Sequence, residues 1–205
     1  MPLFFTRIEV VSKMAAKLLS PPLVEPLVLA EVKAHLRVDG ADEDTLIDGL
    51  ITAARLYIEL ACDRALITQD WAVFHDRWPD NNVVSLPKPP LQAVTAVKIY
   101  DAKGVATTLE TTDYFADTAS QPGRLVRAAG AIWPDPGRAV NGIEIRLRAG
   151  YGDAATDVPR TLRQAMLLLL AHWFEIREPV VIGHDVVEVP HAVERLIDPY
   201  RSVRL

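Results

Sequence analysis

The run His172-Trp-Phe-Glu175 is the part of this sequence whose residue types and spacing come nearest to a metal site. On a helix, a spacing of three places the imidazole and the carboxylate on one face. Di-metal carboxylate bundles use two copies of such a pair with further glutamate ligands, and this chain has one copy. His184 and His191 are candidates to complete a site, although their spacing matches no metal motif. The pattern favours a partly buried histidine and a solvated glutamate over a bound metal.

Three further motifs lack residues that a nucleotide-binding loop, a serine nucleophile or a calcium loop requires. Gly150-Tyr-Gly152 lacks the third glycine of a dinucleotide fingerprint and the lysine of a phosphate-binding loop, so it predicts a tight exit from a strand. None of the five serines lies in a Gly-x-Ser-x-Gly elbow. Asp39, Asp42 and Asp44 resemble the start of a calcium loop, but no glycine and terminal glutamate follow at the required spacing. The sequence therefore shows no catalytic constellation.

Two helices are expected before these motifs. Apolar side chains at helical spacing predict a short helix over 29–37, which Gly40 ends. A longer amphipathic pattern over 42–62 predicts a second helix, capped by Asp42. The acids in and before its first turns complement the positive end of the helix dipole.

Two more helices are expected after them. A helix over 157–177 carries Pro159 in its first turn, where a missing N–H costs nothing. It is apolar almost all round, which indicates the centre of a bundle or cover by another subunit. A last short helix is predicted over 191–197.

The segment between the helical parts is rich in β signals and turn residues. The clearest strand follows Asn141-Gly142, because apolar and charged residues alternate from Ile143 to Arg148. A hairpin turn is predicted over 101–104. The fold class is therefore α+β, a helical bundle interrupted by a β-rich insertion. Strands are expected over 71–74, 83–86, 94–100, 107–109 and 143–149.

The predicted division of the chain has four parts. They are an N-terminal arm or linker over 1–27, a helical core over 28–64 and 156–200, the β-rich insertion over 65–155 and a tail over 201–205.

The overall composition limits the kinds of protein to which this sequence can belong. The 205 residues include 22 basic and 27 acidic side chains, a net charge of −5, and half of all residues are hydrophobic. This composition predicts an ordered globular protein and argues against one that grips nucleic acid. The single cysteine, Cys62, excludes an internal disulfide. Neither a membrane span nor a signal peptide is predicted, so the protein is expected to stay where it is made.

Charge is nevertheless unevenly distributed. Residues 41–64 carry six acids against two arginines, and residues 124–148 carry five arginines against two acids. The basic stretch has three interpretations: solvated charges on a sheet, a nucleic-acid surface with Trp133 as a stacking platform, or one half of a head-to-tail contact between copies. The candidate inter-subunit residues are Asp42, Glu43, Asp44, Asp48, Arg124, Arg127, Arg146 and Arg148.

Short motifs also occur in a distinctive order over about residues 27 to 201. They are Leu29-Ala-Glu-Val-Lys-Ala-His-Leu-Arg37, Asp42-Glu-Asp44, Ala65-Leu-Ile-Thr-Gln69 with Trp71, Leu86-Pro87, Pro89-Pro90-Leu91, Gly123-Arg124, Trp133-Pro134, Ala149-Gly-Tyr-Gly152, Val158-Pro159, Leu168 through Trp173, and Pro190 through Tyr200. In this order they resemble the head–tail connector, or portal adaptor, family of tailed phages, which includes the adaptor of gene transfer agents.

The resemblance implies a structural protein without enzymatic activity, cofactor or membrane contact. It implies a homo-oligomeric ring of about twelve copies between the portal protein and a stopper or tail-completion protein. DNA would pass through the lumen without sequence-specific binding. The expected location is the neck of a virion or virus-like particle, assembled in the bacterial host cytoplasm. The C-terminal segment would contact the portal through Leu196, Ile197, Tyr200, Arg201, Arg204 and Leu205.

One alternative from another class stays open at this point. A soluble metal- or ligand-binding protein would use the β insertion as its pocket and His172 with Glu175 as ligands. A DNA-binding module is a weaker third possibility.

Overall fold

The computed structural model describes residues 15–176 and 189–201. Within these ranges the chain is a mixed α+β protein, which confirms the predicted fold class. The helices are α1 Leu29–Leu36, α2 Asp44–Cys62, α3 Arg160–Glu175 and α4 His191–Ile197; the strands are β1 Ala15–Ser20, β2 Gln69–His75, β3 Val83–Leu86, β4 Leu91–Tyr100, β5 Ala106–Thr108, β6 Tyr114–Asp117, β7 Gly123–Arg127 and β8 Ile143–Ala149. Single 3₁₀ turns occur at Thr111–Asp113, Ala155–Asp157 and Asp198–Tyr200.

The four helices share one hydrophobic core. Helix α3 packs on both α2 and α4, and α1 contacts both α2 and α3. The apolar repeat predicted for α2 is the face that enters this core. Its fully or almost fully buried members include Ile47, Ile51 and Ile58 of α2, Leu162, Met166 and Leu169 of α3, and Val193 and Ile197 of α4.

The strands form two antiparallel sheets that share a second core. The first sheet has the order β1-β2-β8-β4-β5 and the second has the order β3-β7-β6. Strand β8 lies at the centre of the first sheet, with Ile145 opposite Val73 on one side and Val97 on the other. Because Val84 and Leu125 of the second sheet belong to the same buried cluster, the two sheets pack on each other. The alternation predicted for β8 is confirmed for its apolar residues, because Ile143, Ile145 and Leu147 are buried. On the other face Glu144 is also buried, where the prediction expected a solvated charge.

A buried ion network joins the chain before α1 to α2 and β2. Arg55 donates to Glu25 through Nε at 2.7 Å and to Glu59 through Nη1 at 2.9 Å. The other oxygen of Glu59 accepts from the Leu66 N–H at 2.9 Å and from Gln69 Nε2 at 2.5 Å. Burial raises the pKa of Glu59, although each of these donors opposes the shift. The network therefore holds a desolvated carboxylate between the helical and β parts.

Gly150 forms the second junction between these parts. Its φ of +131° is in the range that L-residues rarely adopt, and a Cβ built there would lie 2.6 Å from the Ile67 carbonyl and the Thr68 nitrogen. Its N–H donates to Pro90 O at 2.9 Å, and Tyr151 N–H donates to Leu66 O at 3.1 Å. The glycine is required for close backbone approach as well as for the turn that the sequence predicts.

Several predicted helix ends are wrong by a few residues. Helix α1 ends when Arg37 adopts φ +58°, three residues before Gly40. Helix α2 starts at Asp44, so Asp42 is not its cap, and Glu43 at that position makes no capping side-chain bond. Asp157 accepts a hydrogen bond from the Ala154 N–H at 2.9 Å in the 3₁₀ turn, so it does not cap α3. Helix α3 begins only after Pro159.

Three strands were not predicted from the sequence. Strand β1 lies within the predicted arm and pairs with β2, although all six of its residues are exposed. Strands β6 and β7 are short, and β7 begins at Gly123, where the sequence indicates an irregular crossing. Strand β1 is exposed throughout, and β6 and β7 are only four and five residues long. In β7 only Gly123 and Leu125 are buried, so the repeat is too short to mark a strand in the sequence. The 101–104 turn is confirmed by the Gly104 N–H to Asp101 O bond of 3.0 Å. No described helix is long and apolar enough to cross a membrane.

Candidate interaction surfaces

The C-terminal segment packs on the helical core. Val193 and Ile197 of α4 are fully buried, and Leu196 and Tyr200 are half-buried against the same cluster. In this fold, Ile197 therefore supports the core and is not available as an outward anchor, because its side chain is enclosed by the other helices. Arg201 is exposed and pairs with Asp198 at 2.9 Å. Arg204 and Leu205 lie outside the described residues.

Arg64 is the buried side chain that fastens this segment. Its Nε donates to Tyr200 O at 2.5 Å, and its Nη1 donates to Gln121 Oε1 at 3.0 Å and to Tyr151 OH at 3.4 Å. The guanidinium also lies over the Tyr200 ring, 5.8 Å from its centroid. Arg64 thus links the C-terminal segment to the β insertion and to the Gly150 junction.

Replacing Arg64 by methionine is expected to lower the free energy of unfolding by about 2–3 kcal/mol, because charge-assisted hydrogen bonds to buried acceptors are lost. Amide exchange over 191–201 should become faster in the same variant. Denaturant unfolding and hydrogen-exchange mass spectrometry measure both. Arg201→Met is the matched control, since its ion pair is exposed and should contribute little. Unchanged protection of 191–201 in Arg64→Met would contradict this role.

The acidic candidates cluster before and within the first turns of α2. Asp42 and Asp48 are exposed, and Glu43 and Asp44 are half-buried. Asp44 accepts from Lys33 Nζ at 2.5 Å, which ties this end of α2 to α1. The cluster therefore presents Asp42 and Asp48 to solvent, while Asp44 has an intramolecular partner.

The basic candidates lie on the two sheets. Arg124 pairs with Asp117 at 2.6 Å and Arg148 with Asp70 at 2.9 Å. A hydrogen bond from Ser120 and the Arg124 guanidinium hold the pKa of Asp117 well below its usual range.

Arg146 differs because its partner, Glu144, is buried. Their Nε to Oε1 distance is 2.6 Å. Burial by itself would raise the pKa of Glu144, but hydrogen bonds from Tyr100 and Arg146 outweigh it and lower that pKa. Three of the four candidate arginines are thus largely neutralised within the chain. Arg127 is exposed and takes part in none of the ion pairs found among the described residues.

The metal hypothesis gains no site from the part of the chain that the structure describes. Across 15–176 and 189–201, no group of three or more His, Cys, Asp or Glu side chains could hold a metal. His172 Nε2 is buried without a hydrogen-bond partner among these residues, and Glu175 is exposed. His191 is exposed and lies 3.5 Å from Glu194, while His184 is outside the described residues.

The β insertion also carries one open groove of about 450 Å³. Asp76, Asp135 and Arg138 are among its lining residues. Arg138 donates to the backbone of Val140 and Asn141, and Asp76 accepts from the Asn141 N–H, so these groups are already used in the loop. The groove does not bring them together with His172 and Glu175, which are on α3.

An exposed apolar face of α2 is the feature that sequence reasoning missed. Leu46, Leu56 and Leu60 are 41%, 47% and 75% exposed, on the side of α2 away from the core. The signal was present as a second repeat at spacings of three and four, next to the one that forms the core. Gly49 lies in this face, and a glycine in a helix interior costs about 1 kcal/mol relative to alanine.

Comparison with known proteins relates the chain to the connectors of phage-like particles. Residues 27–118, from α1 to the end of β6, match the model of the phage gp6-like head–tail connector proteins. The whole fold resembles a chain in the neck of an empty gene transfer agent particle computed with C6 symmetry, with 28% identity, a TM-score of 0.77, and coverage of 93% of this chain and 97% of that one. The matched part of the chain is similar to the head–tail connector family, and the fold resembles a neck protein of gene transfer agent particles. The chain is a structural head–tail connector and not an enzyme.

Two further structures extend the likeness of the connector. One is from the virion of a native gene transfer agent particle, with 27% identity, a TM-score of 0.78, and coverage of 93% and 96% of the two chains. The other is from the neck of a native particle computed with C12 symmetry, with 28% identity, a TM-score of 0.71, and coverage of 92% and 97%. No curated protein matches the sequence. Because the solved structures cover more than nine-tenths of the chain, the likeness includes α3 and the second sheet.

Proposed function

We propose that this connector forms a ring of about twelve copies between the portal protein and a stopper or tail-completion protein of a phage or gene transfer agent particle. The observation that carries the proposal is the likeness over 92% of the chain to a protein in a neck with C12 symmetry. Homo-oligomers with closed symmetry repeat one contact around the axis, so each copy needs two complementary surfaces. The location follows: the neck of a particle assembled in the bacterial host cytoplasm.

DNA passes through the lumen of this ring without sequence-specific binding. The net charge of −5 per copy repeats around the ring and repels the phosphate backbone. Pairing of Arg124, Arg146 and Arg148 with acids of the same chain further lowers their capacity to hold phosphates. A channel of this character favours sliding over adhesion, because tight binding requires a surplus of positive charge.

The C-terminal segment is the portal contact in this proposal. Leu196, Tyr200 and Arg201 remain partly or fully accessible next to the tail that ends in Arg204 and Leu205. Ile197 contributes from inside, because its burial holds the segment in place through the helical core. Removing everything after Pro190 would strip Val193 and Ile197 from that core, so substitution is a cleaner test than truncation.

Mixing the connector with portal rings from the same genome tests the proposal. Electron microscopy is expected to show a symmetric collar at the narrow end of the portal, with about twelve connector copies. Clean portal rings beside unbound connector at high concentration would contradict the function. The Arg201→Glu/Arg204→Glu variant is expected to lose the collar while its unfolding curve stays unchanged.

Arg160→Glu is the matched control for that variant, because it reverses the charge of an exposed arginine that is not among the predicted portal-contact residues. It should leave the collar intact. A full collar with Arg201→Glu/Arg204→Glu would show that the portal contact lies elsewhere, while the ring itself would stand.

A further inference from the structure

Strand β1 is attached to the first sheet mainly by backbone hydrogen bonds. All six of its residues are exposed, although it pairs with β2 from Ala15 opposite Phe74 to Ser20 opposite Asp70. Among the described elements, β2 is the one that it contacts extensively. Backbone bonds do not depend on residue type, so β2 of any copy offers the same ladder of N–H and C=O groups. The contacts of β1 therefore do not require that its partner be the β2 of its own chain.

Strand β2, in contrast, is fixed in its own chain. It pairs with β8 along its whole length, from Gln69 opposite Ala149 to His75 opposite Ile143. Its Val73 is buried in the core that the two sheets share. Because β1 is the outer strand next to β2, removing β1 would leave a row of unpaired backbone groups on β2. The edge of β2 must therefore be covered by a strand, from the same chain or from another copy.

A short linker, residues 21–24, joins β1 to the helical core. Glu25, directly after the linker, is fastened to α2, because it accepts from Thr52 Oγ1 at 3.1 Å and from Arg55 Nε at 2.7 Å. The linker includes two prolines and forms no hydrogen bond with other described residues. When it is fully extended, the chain from Ser20 to Glu25 spans roughly 17 Å. The linker can therefore direct β1 towards a neighbouring copy while Glu25 stays in place.

Exposed apolar side chains are concentrated on β1 and next to it. Of the thirteen large hydrophobic residues that are exposed in the described chain, five lie within residues 18–28. They are Leu18, Leu19, Leu23, Val24 and Val28, and Leu23 is 98% exposed. While β1 stays on its own β2, these side chains face water. When β1 crosses to another copy, the linker lies between the two copies and its apolar side chains are removed from water, which favours the exchange.

We propose that in the assembled ring β1 of each copy pairs with β2 of the next copy, in the register that it has within its own chain. The exchanged pairing keeps the same hydrogen bonds, so it costs little free energy. The donated strand and the accepting edge are different surfaces, which makes the contact head-to-tail and lets it continue from copy to copy until the ring closes. This inference rests on the proposed ring and specifies one contact that forms it.

A mixture of two single cysteine variants tests the exchange directly. Lys17 and Ala72 lie opposite each other in the β1–β2 pair, at a separation that suits a disulfide. Lys17→Cys and Ala72→Cys protein, mixed, assembled on portal rings and oxidised, is expected to give covalent dimers on a non-reducing gel, because each bond then joins two chains. Either single variant alone should stay monomeric, since Cys62 is fully buried. A collar from the mixture without dimers would overturn the exchange.

The double variant Lys17→Cys/Ala72→Cys provides an independent measurement. Oxidised as a dilute monomer, it has β1 bonded covalently to its own β2, so the strand cannot be donated and the edge cannot accept another. We expect its affinity for portal rings to fall by about ten-fold or more, because several backbone hydrogen bonds between copies cannot form. Reduction of the same sample should restore wild-type assembly, which shows that the fold is intact. Equal assembly of the oxidised and reduced protein would contradict the proposal.

The other edge of the first sheet supplies the matched control. Lys98 and Thr108 lie opposite each other in the β4–β5 pair, whose strands are joined by the 101–104 turn. This short turn holds both strands in one chain. The oxidised Lys98→Cys/Thr108→Cys variant should therefore assemble normally, and a mixture of its two single variants should give no dimers.

The outcomes separate strand exchange from the adaptor function. A normal collar whose cysteines join only within one chain would overturn the exchange and leave the adaptor role intact. Dimers from the Lys17→Cys and Ala72→Cys mixture without any collar on the portal would retain the exchange and overturn the portal role.

Discussion

Replacing Arg55 by methionine is expected to lower the free energy of unfolding by about 3–5 kcal/mol, because Glu59 would remain buried without its cation. Both residues are buried, at 7% and 8% exposure. Glu25 would also lose its two bonds from Arg55, which fasten the segment before α1. Denaturant unfolding at neutral pH measures the loss.

Arg148→Met is the matched control, because the Arg148–Asp70 pair is the same chemical change at the surface. Pairs of that kind contribute about 1 kcal/mol or less. If Arg55→Met and Arg148→Met lose the same unfolding free energy, then the buried Glu59 carboxylate does not depend on Arg55 for its stabilisation.

The loss of unfolding free energy in Arg55→Met should also depend on pH. Burial already raises the pKa of Glu59, and losing the guanidinium raises it further. The native variant then binds a proton more readily than the unfolded chain, whose glutamate has its ordinary pKa of about 4.3. Stability is therefore lost as pH rises from that value towards the raised pKa. The deficit relative to wild type should be smaller at pH 5 than at pH 8.

Gly150→Ala is expected to cost about 3–5 kcal/mol, since left-handed strain and a backbone collision add together. The new methyl group would meet the Ile67 carbonyl at 2.6 Å, and neither strand end can move without breaking bonds at Pro90 and Leu66. Thermal and denaturant unfolding measure the effect.

Gly104→Ala separates the two causes. Gly104 has φ +81° in the β4–β5 turn, and no described atom lies within 4 Å of its Cβ position. Its variant should lose only the conformational part, about 1–2 kcal/mol. A Gly150→Ala variant as stable as Gly104→Ala would mean that the junction can relax.

Much of the fold follows from local patterns in the sequence. Helices α1 and α2 and strand β8 each bury one face against a core, so apolar residues recur along the sequence at the period of that element. This period is 3.6 residues in α1 and α2 and two residues in β8. The order of short motifs from Leu29 to Tyr200 was sufficient to indicate the connector family. The helix ends were less predictable. At the start of α2, Asp44 forms an ion pair with Lys33, and α1 ends because Arg37 has a left-handed backbone conformation.

The interaction surfaces depended on tertiary structure. Arg124, Arg146 and Arg148 look like free positive charge in the sequence, but each has an acid partner in the fold. Asp117 and Asp70, on other strands, pair with Arg124 and Arg148, and Glu144 of the same strand pairs with Arg146. Ile197 looks like an anchor, but the packing of α4 buries it.

Sequence by itself determined the class of this protein, its helical and β parts and the turn at Gly150, because each depends on neighbouring residues. Only the tertiary structure revealed that α2 has a second apolar repeat, with Gly49 and Leu60, that remains outside the core. The physical reason is that burial and charge pairing are properties of residues distant in the chain. No local pattern encodes which distant residues will meet.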